Sequence, residues 1–203
     1  MNNHVRPLML ALALSLGTGV ASAAQAADTG ATTAAQALPG ESLYHLQAGL
    51  TDQHGQALQW RDLQGRPQLV SMFYGNCHVM CPLILENAKS VQKQLPEALR
   101  DQLGVAMLTL DPARDTPAVL AEVAQRHRVP DAWRFLQPAA DDVRALASVL
   151  DIRYRFREDG SINHTSALVL LDAQGRVLAR SEIESAAADP AFVQQVRNAI
   201  ATR

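Results

Sequence analysis

From Leu43 onward, short apolar runs of strand length alternate with stretches whose apolar positions recur at helical spacing. Leu43–Thr51 and Ala57–Trp60 read as strands flanking Asp52-Gln53-His54-Gly55, a turn with Gly where a positive φ is wanted. Leu69–Tyr74 is a short buried-strand run. Pro82 then falls in a first helical turn, followed by Ile84, Ala88, Val91 and Leu95 at helical spacing. Gly104–Leu110 is a second buried-strand run. It leads into Asp111-Pro112-Ala113-Arg114-Asp115-Thr116-Pro117, where Thr116 caps a helix that has Pro117 at its first position. Val119, Leu120, Val123 and His127 continue that helix. Trp133–Leu136 is a brief strand, and Asp141–Leu150 is a short helix with acids in its first turn. Thr165–Leu171 and Arg176–Ile183 form a second hairpin around Asp172-Ala173-Gln174-Gly175. Asp189-Pro190 starts a last helix with Phe192, Val193, Val196 and Ile200 facing inward. This order predicts one α/β domain, with a mixed central sheet flanked by helices and an N-terminal β-hairpin.

The pattern upstream is different. Residues 1–27 read as a signal peptide. Arg6 supplies a positive start, Leu8–Leu16 is apolar, and Ala21-Ser22-Ala23 and Ala24-Gln25-Ala26 are small-residue cleavage sites. Retention as an uncleaved anchor is the other outcome. The Gly, Ser, Thr and Gln of the second half make a poor spanning helix and favour cleavage. No cysteine lies near the cleavage region, which argues against a lipid-anchored lipoprotein. Residues 28–41 are rich in Ala, Thr, Gly and Gln without periodicity and read as a flexible linker. The domain is expected over 42–203. The chain is therefore expected to be periplasmic or otherwise exported, touching a membrane only through a retained anchor.

Composition narrows the function. The net charge is −2 with no basic run, so nucleic acid is not an expected partner. No Gly-rich phosphate loop and no Ser/His/Asp nucleophile arrangement stands out.

The chemistry concentrates at Cys77 and Cys81, the two cysteines of the chain. They stand in Cys77-His78-Val79-Met80-Cys81-Pro82, directly after the Leu69–Tyr74 run. Open α/β sheets place their sites at this carboxyl edge. Two intervening residues would mark a thioredoxin-type dithiol; three weaken that reading and leave room for a metal. If helical geometry begins near the first cysteine, the i and i+4 sulfurs share a face. They can then bond to each other or hold one ion. A structural disulfide is disfavoured, because so short a loop gives little chain-entropy gain. An oxidising compartment would pair the two unless they are kept reduced or metal-bound.

His164, in Ile162-Asn163-His164-Thr165-Ser166, is the candidate third donor. A metal held by two thiolates wants another ligand, and imidazole suits copper or zinc. A satisfied, half-buried histidine is the plainer reading, and the residues alone leave both open. His78 and Met80 carry further donors between the cysteines and are expected to point away. Asp111 and Asp115 are candidates for an oxygen donor or for orienting the histidine, with turn formation and capping preferred. His127 closes a helix, and His45 and His54 sit on the first hairpin.

Phe73-Tyr74-Gly75-Asn76-Cys77-His78-Val79-Met80-Cys81-Pro82-Leu83 resembles the C-x3-C-P signature of the Sco/SenC family. Leu110-Asp111-Pro112-Ala113-Arg114-Asp115-Thr116-Pro117 is similar to its D-P-x-R-D-T-P segment, and Asn163-His164-Thr165-Ser166 to its histidine motif. The three occur in the family's order, with similarity from about Leu50 to about Ser181. The resemblance implies a thioredoxin-like fold. It also implies copper, as Cu(I) or Cu(II), held by Cys77, Cys81 and His164 and delivered to cytochrome c oxidase during its assembly. The implied partners are an oxidase subunit or another copper-receiving protein, and a thiol reductant or copper donor. The chain departs from the family's commoner residues at His78 (Pro), Met80 (Val) and Asn163 (an acid).

The implied role is metallochaperone and not enzyme. Some family members act on thiols, so the alternative is a thiol-disulfide oxidoreductase with Cys77 and Cys81 as its redox pair, reducing cysteines of a copper-site partner. A non-catalytic interaction domain with a structural disulfide is the reading from another class.

Overall fold

The computed structural model describes residues 37–201. Residues 1–27 and most of the expected linker lie outside the described residues. At its end, Leu38 packs against the core and Pro39 accepts a hydrogen bond from the Ser42 amide.

Among the described residues there are nine strands and five α-helices. β1 (Gly49–Asp52) and β2 (Ala57–Gln59) form the first hairpin. β3 (Gln68–Phe73) leads to α1 (Met80–Lys93) and α2 (Glu97–Arg100). β4 (Gly104–Thr109), α3 (Pro117–Arg126), β5 (Arg134–Pro138) and α4 (Val143–Val149) come next. A small hairpin of β6 (Tyr154–Phe156) and β7 (Ile162–His164) precedes β8 (Ala167–Leu171), β9 (Val177–Glu182) and α5 (Pro190–Ala201).

The main sheet has the order β2-β1-β5-β4-β3-β8-β9. β3, β4 and β5 run parallel, while β8 pairs antiparallel with β3 and β1 antiparallel with β5. Every residue of β3, β4 and β8 is buried. Continuous apolar runs have this reason: central strands are covered on both faces and need no alternation. Phe73 and Phe135 meet edge-to-face at 5.5 Å in this core, and Leu120, Val123, Phe192, Val193, Val196 and Ile200 are buried on α3 and α5.

The expected helix starts are largely met. The Thr116 side chain accepts from the Val119 amide, with Pro117 opening α3. Two segments differ from the expectation. Leu43–Thr51 is not one strand: Ser42 caps a 3-10 turn at Leu43–His45, which buries Tyr44 beneath Trp60 at 5.5 Å, and pairing begins at Gly49. The Arg153–His164 stretch, with no expected element, contains the β6–β7 hairpin. Its tight turn relies on Gly160, whose φ of +78° suits a residue without a Cβ.

Candidate metal centre

The sheet register brings the site together. β3 runs toward Cys77, and β8 runs antiparallel beside it with Val70 opposite Val169. The start of β8 therefore lies beside the end of β3. His164, three residues before β8, arrives at the edge where α1 begins.

The loop from β3 to α1 is held by a carboxylate. Asp115 accepts from the Gly75 amide at 2.8 Å and from the Thr109 hydroxyl. A Cβ on Gly75 would stand 2.7 Å from Asp115 Oδ1, so this approach needs glycine. Burial pushes the Asp115 carboxyl up, and the Thr109 and Gly75 bonds oppose it. Asp111 pairs with Arg114, which also reaches the Gly160 carbonyl. Asp111 has the turn role preferred from sequence, its carbonyl accepting from the Arg114 and Asp115 amides, whereas the Asp115 side chain anchors the loop instead of capping a helix; neither joins the donor group described next.

The Cys77 Sγ, Cys81 Sγ and His164 ring nitrogen lie within 4.8 Å of one another. Among the described residues this group contains no carboxylate and no fourth His or Cys. Cys81 Sγ is 4.0 Å from His164 Nε2, a gap one ion spans at about 2.0–2.3 Å from each donor. His164 Nδ1 lies 3.0 Å from the Thr165 carbonyl. A carbonyl only accepts, so Nδ1 donates there, and Nε2 is the ring nitrogen that faces the sulfurs. The Tyr74 ring packs edge-on against the imidazole at 5.9 Å. Burial raises the Tyr74 hydroxyl's pKa.

The two thiols are free and unequal. Cys81 is buried in the first turn of α1, while Cys77 is half-exposed just before it. The Cys77 thiol is held well below the usual range. The hydrogen bond from Cys81 is the main cause, opposed by burial and helped by His164 and by the amides of Cys81 and Val79. Cys81 is pushed up, first by giving its proton to that bond and then by burial. The pair therefore has one ready thiolate and one retained proton. Chemically it can attack a disulfide or, on losing the second proton, take a soft metal.

His78 is exposed and lies outside the donor group; Met80 is half-buried. His54 is exposed, and His45 bonds the Pro39 carbonyl. His127 caps α3 through its backbone. Sequence reasoning did not single out Tyr74 or the β6–β7 hairpin. The signal for the hairpin was there: Tyr154-Arg155-Phe156 and Ile162-Asn163-His164 flank an Asp159-Gly160 turn.

Residues 41–201 match the sequence profile of the family described as SCO1/SenC. A protein of Stutzerimonas stutzeri, provisionally named a copper-binding protein, is 28% identical over 133 residues. The match covers 64% of this chain and 64% of that protein, so the chain spans less than two thirds of that relative's length. The SCO1 protein homolog of Bacillus subtilis is 25% identical over 131 residues, covering 63% of this chain and 67% of its own. Bradyrhizobium japonicum ScoI, solved with copper bound, superposes with a TM-score of 0.63 at 20% identity, covering 76% of this chain and 96% of that one. Yeast Sco1 gives 0.65 at 19%, covering 78% and 98%. At such identities the likeness carries the fold, which is thioredoxin-like.

Proposed function

We propose that this chain, which belongs to the SCO1/SenC family, is an exported copper-binding metallochaperone that delivers copper to cytochrome c oxidase during assembly. The observation that carries the reading is the convergence of Cys77, Cys81 and His164, with three donor atoms within 4.8 Å at the rim of the sheet. Two thiolates suit Cu(I), and an added imidazole makes the set able to hold Cu(II) as well. The set is closed enough to bind, because Cys81 is buried and His164 Nε2 faces the sulfurs. It is open enough to release, because Cys77 and His164 are partly exposed. Release to a partner proceeds by ligand exchange: bonds from the metal to these donors are replaced by bonds to the partner's. The names of the Stutzerimonas stutzeri and Bradyrhizobium japonicum proteins support copper as the cargo. The signal-peptide-like pattern over residues 1–27 supports an oxidising, exported location, where a copper donor or a thiol reductant would have to keep the pair loaded or reduced.

A second reading has its own observation. The lowered Cys77 thiol beside a buried, raised Cys81 thiol is the asymmetry that disulfide exchange uses. In that reading the chain reduces cysteines of a copper-site partner.

Deleting the gene and measuring cytochrome c oxidase activity tests both. The copper reading predicts loss of oxidase activity, rescue by the wild-type chain, and no rescue by His164→Ala. Full rescue by His164→Ala would favour thiol reduction. Unchanged oxidase activity after deletion would reject the assembly role.

A further inference from the structure

We propose that Arg114 is a positioning residue of the metal centre. It ties the turn of the β6–β7 hairpin to the same short segment that holds the cysteine loop, and so sets where His164 stands relative to the two thiols. This rests on the reading of Cys77, Cys81 and His164 as a copper site.

The donors come from two pieces of chain that need a common reference. Cys77 and Cys81 follow β3, whereas His164 ends β7, in a two-stranded sheet that is not paired with the main one. A hairpin with strands of three residues is at best marginally stable alone, so the body of the domain must hold it. At its base, Ile162 is buried in the core and the Ser166 carbonyl accepts from the Ile183 amide at 2.9 Å. At its tip, the turn shapes itself. The Arg157 amide bonds to the Ser161 carbonyl at 2.9 Å, and Asp159 Oδ1 accepts from the Ser161 amide at 2.9 Å. The Gly160 carbonyl is taken by Arg114, whose Nη2 donates to it at 2.9 Å. A Cβ on Gly160 would stand 3.4 Å from Arg114 Nη1, so the guanidinium rests directly against the turn.

The other prong of Arg114 goes to Asp111. From there hydrogen bonds run without a break to the cysteine loop. The Asp111 amide donates to Thr109 Oγ1 at 2.9 Å, the Thr109 hydroxyl donates to Asp115, and Asp115 accepts from the Gly75 amide at 2.8 Å. Gly75 stands two residues before Cys77. The segment Asp111–Asp115 is itself closed, because the Asp111 carbonyl accepts from the amides of Arg114 and Asp115 at 3.0 and 2.9 Å. One turn therefore carries both the cysteine loop and the hairpin. The double reach is particular to arginine: guanidinium presents its donors in a fixed planar fork, whereas an ammonium is a single point charge. The Arg114 side chain is 49% exposed, so its removal opens no hole in the core.

The test starts from the copper-free, reduced protein and compares wild type with Arg114→Ala. Amide hydrogen exchange at residues 160–164 should quicken by about tenfold, while β3, β4 and β8 exchange as in wild type. The nuclear Overhauser effect between the Tyr74 and His164 rings should weaken, which reports the displacement of His164 without metal. Arg114→Lys should behave as Arg114→Ala. After loading, Arg114→Ala should release Cu(II) about tenfold faster, with its Cu(I) affinity within about twofold of wild type. Unchanged exchange and ring contact in Arg114→Ala, a rise in exchange spread evenly over the main sheet, wild-type behaviour of Arg114→Lys, or equal weakening of Cu(I) and Cu(II) would each overturn it. A wild-type chain that takes up no copper would reject the copper reading instead, and the exchange and ring contact would still decide the tie.

Discussion

The backbone amide of Cys81 donates to Cys77 Sγ at 3.2 Å, so the first cysteine does at the start of α1 what a capping oxygen does elsewhere. The sulfur meets unpaired amides and the positive end of the helix, both of which favour its ionised form. The order of the two thiols follows from this placement: Cys77 lies before the helix and is half-exposed, while Cys81 lies within it and is buried.

In the copper-free, reduced protein, iodoacetamide should modify Cys77 before Cys81. Its rate should hold as pH falls below about 8.5, where an ordinary thiol loses reactivity. The lowered folded pKa also ties stability to pH. That contribution is complete above the unfolded thiol's pKa and declines as pH falls toward the folded value. Peptide mapping gives the order, and melting curves of wild type and Cys77→Ser give the slope. Earlier labelling of Cys81 would contradict the assignment.

His164→Ala should separate the oxidation states. Two thiolates still satisfy low-coordinate Cu(I), whereas Cu(II) prefers further nitrogen or oxygen donors. Cu(I) affinity should drop modestly, and the Cu(II)–thiolate absorption band should weaken or vanish. An unchanged Cu(II) spectrum would make another group the imidazole donor.

The double variant His78→Pro, Met80→Val should keep its copper stoichiometry, since His78 is exposed and outside the donor group. The dithiol potential is free to shift, because residues between paired cysteines alter thiolate stability. Competition with a Cu(I) chelator measures the outcome. A large loss of affinity with the fold intact by circular dichroism would make one of them a ligand.

Asp115→Ala should lower stability by about 1–3 kcal/mol, because the Gly75 amide and the Thr109 hydroxyl both lose their acceptor. Asp115→Asn keeps one acceptor and should cost less. Thermal melts of both variants check the order.

The central sheet was legible because its strands are buried on both faces and its helices carry explicit start signals. Leu69–Tyr74, Gly104–Leu110 and Thr116-Pro117 each fall within a residue or so of the observed element. The meeting of Cys77, Cys81 and His164 was suggested by motif order, but the physical reason is tertiary. Antiparallel pairing of β8 with β3 is not written in either strand's own pattern. The β6–β7 hairpin escaped because its strands are three residues long and mostly exposed, so its alternation spans too few residues to stand out. Leu43–Leu46 misled for the opposite reason. Tyr44 is buried, and Leu43 and Leu46 partly so, by a capped turn and not a ladder, and burial alone does not fix the backbone.

The central claim is that one copper ion is shared by Cys77, Cys81 and His164. Native mass spectrometry of the 42–203 domain, loaded with Cu(I) under reducing conditions and desalted, tests it most directly. The account predicts one copper per wild-type chain and none retained by Cys81→Ser, since a hydroxyl is a far poorer ligand for soft Cu(I). Full copper loading of Cys81→Ser, or a wild-type chain that retains none, would contradict it.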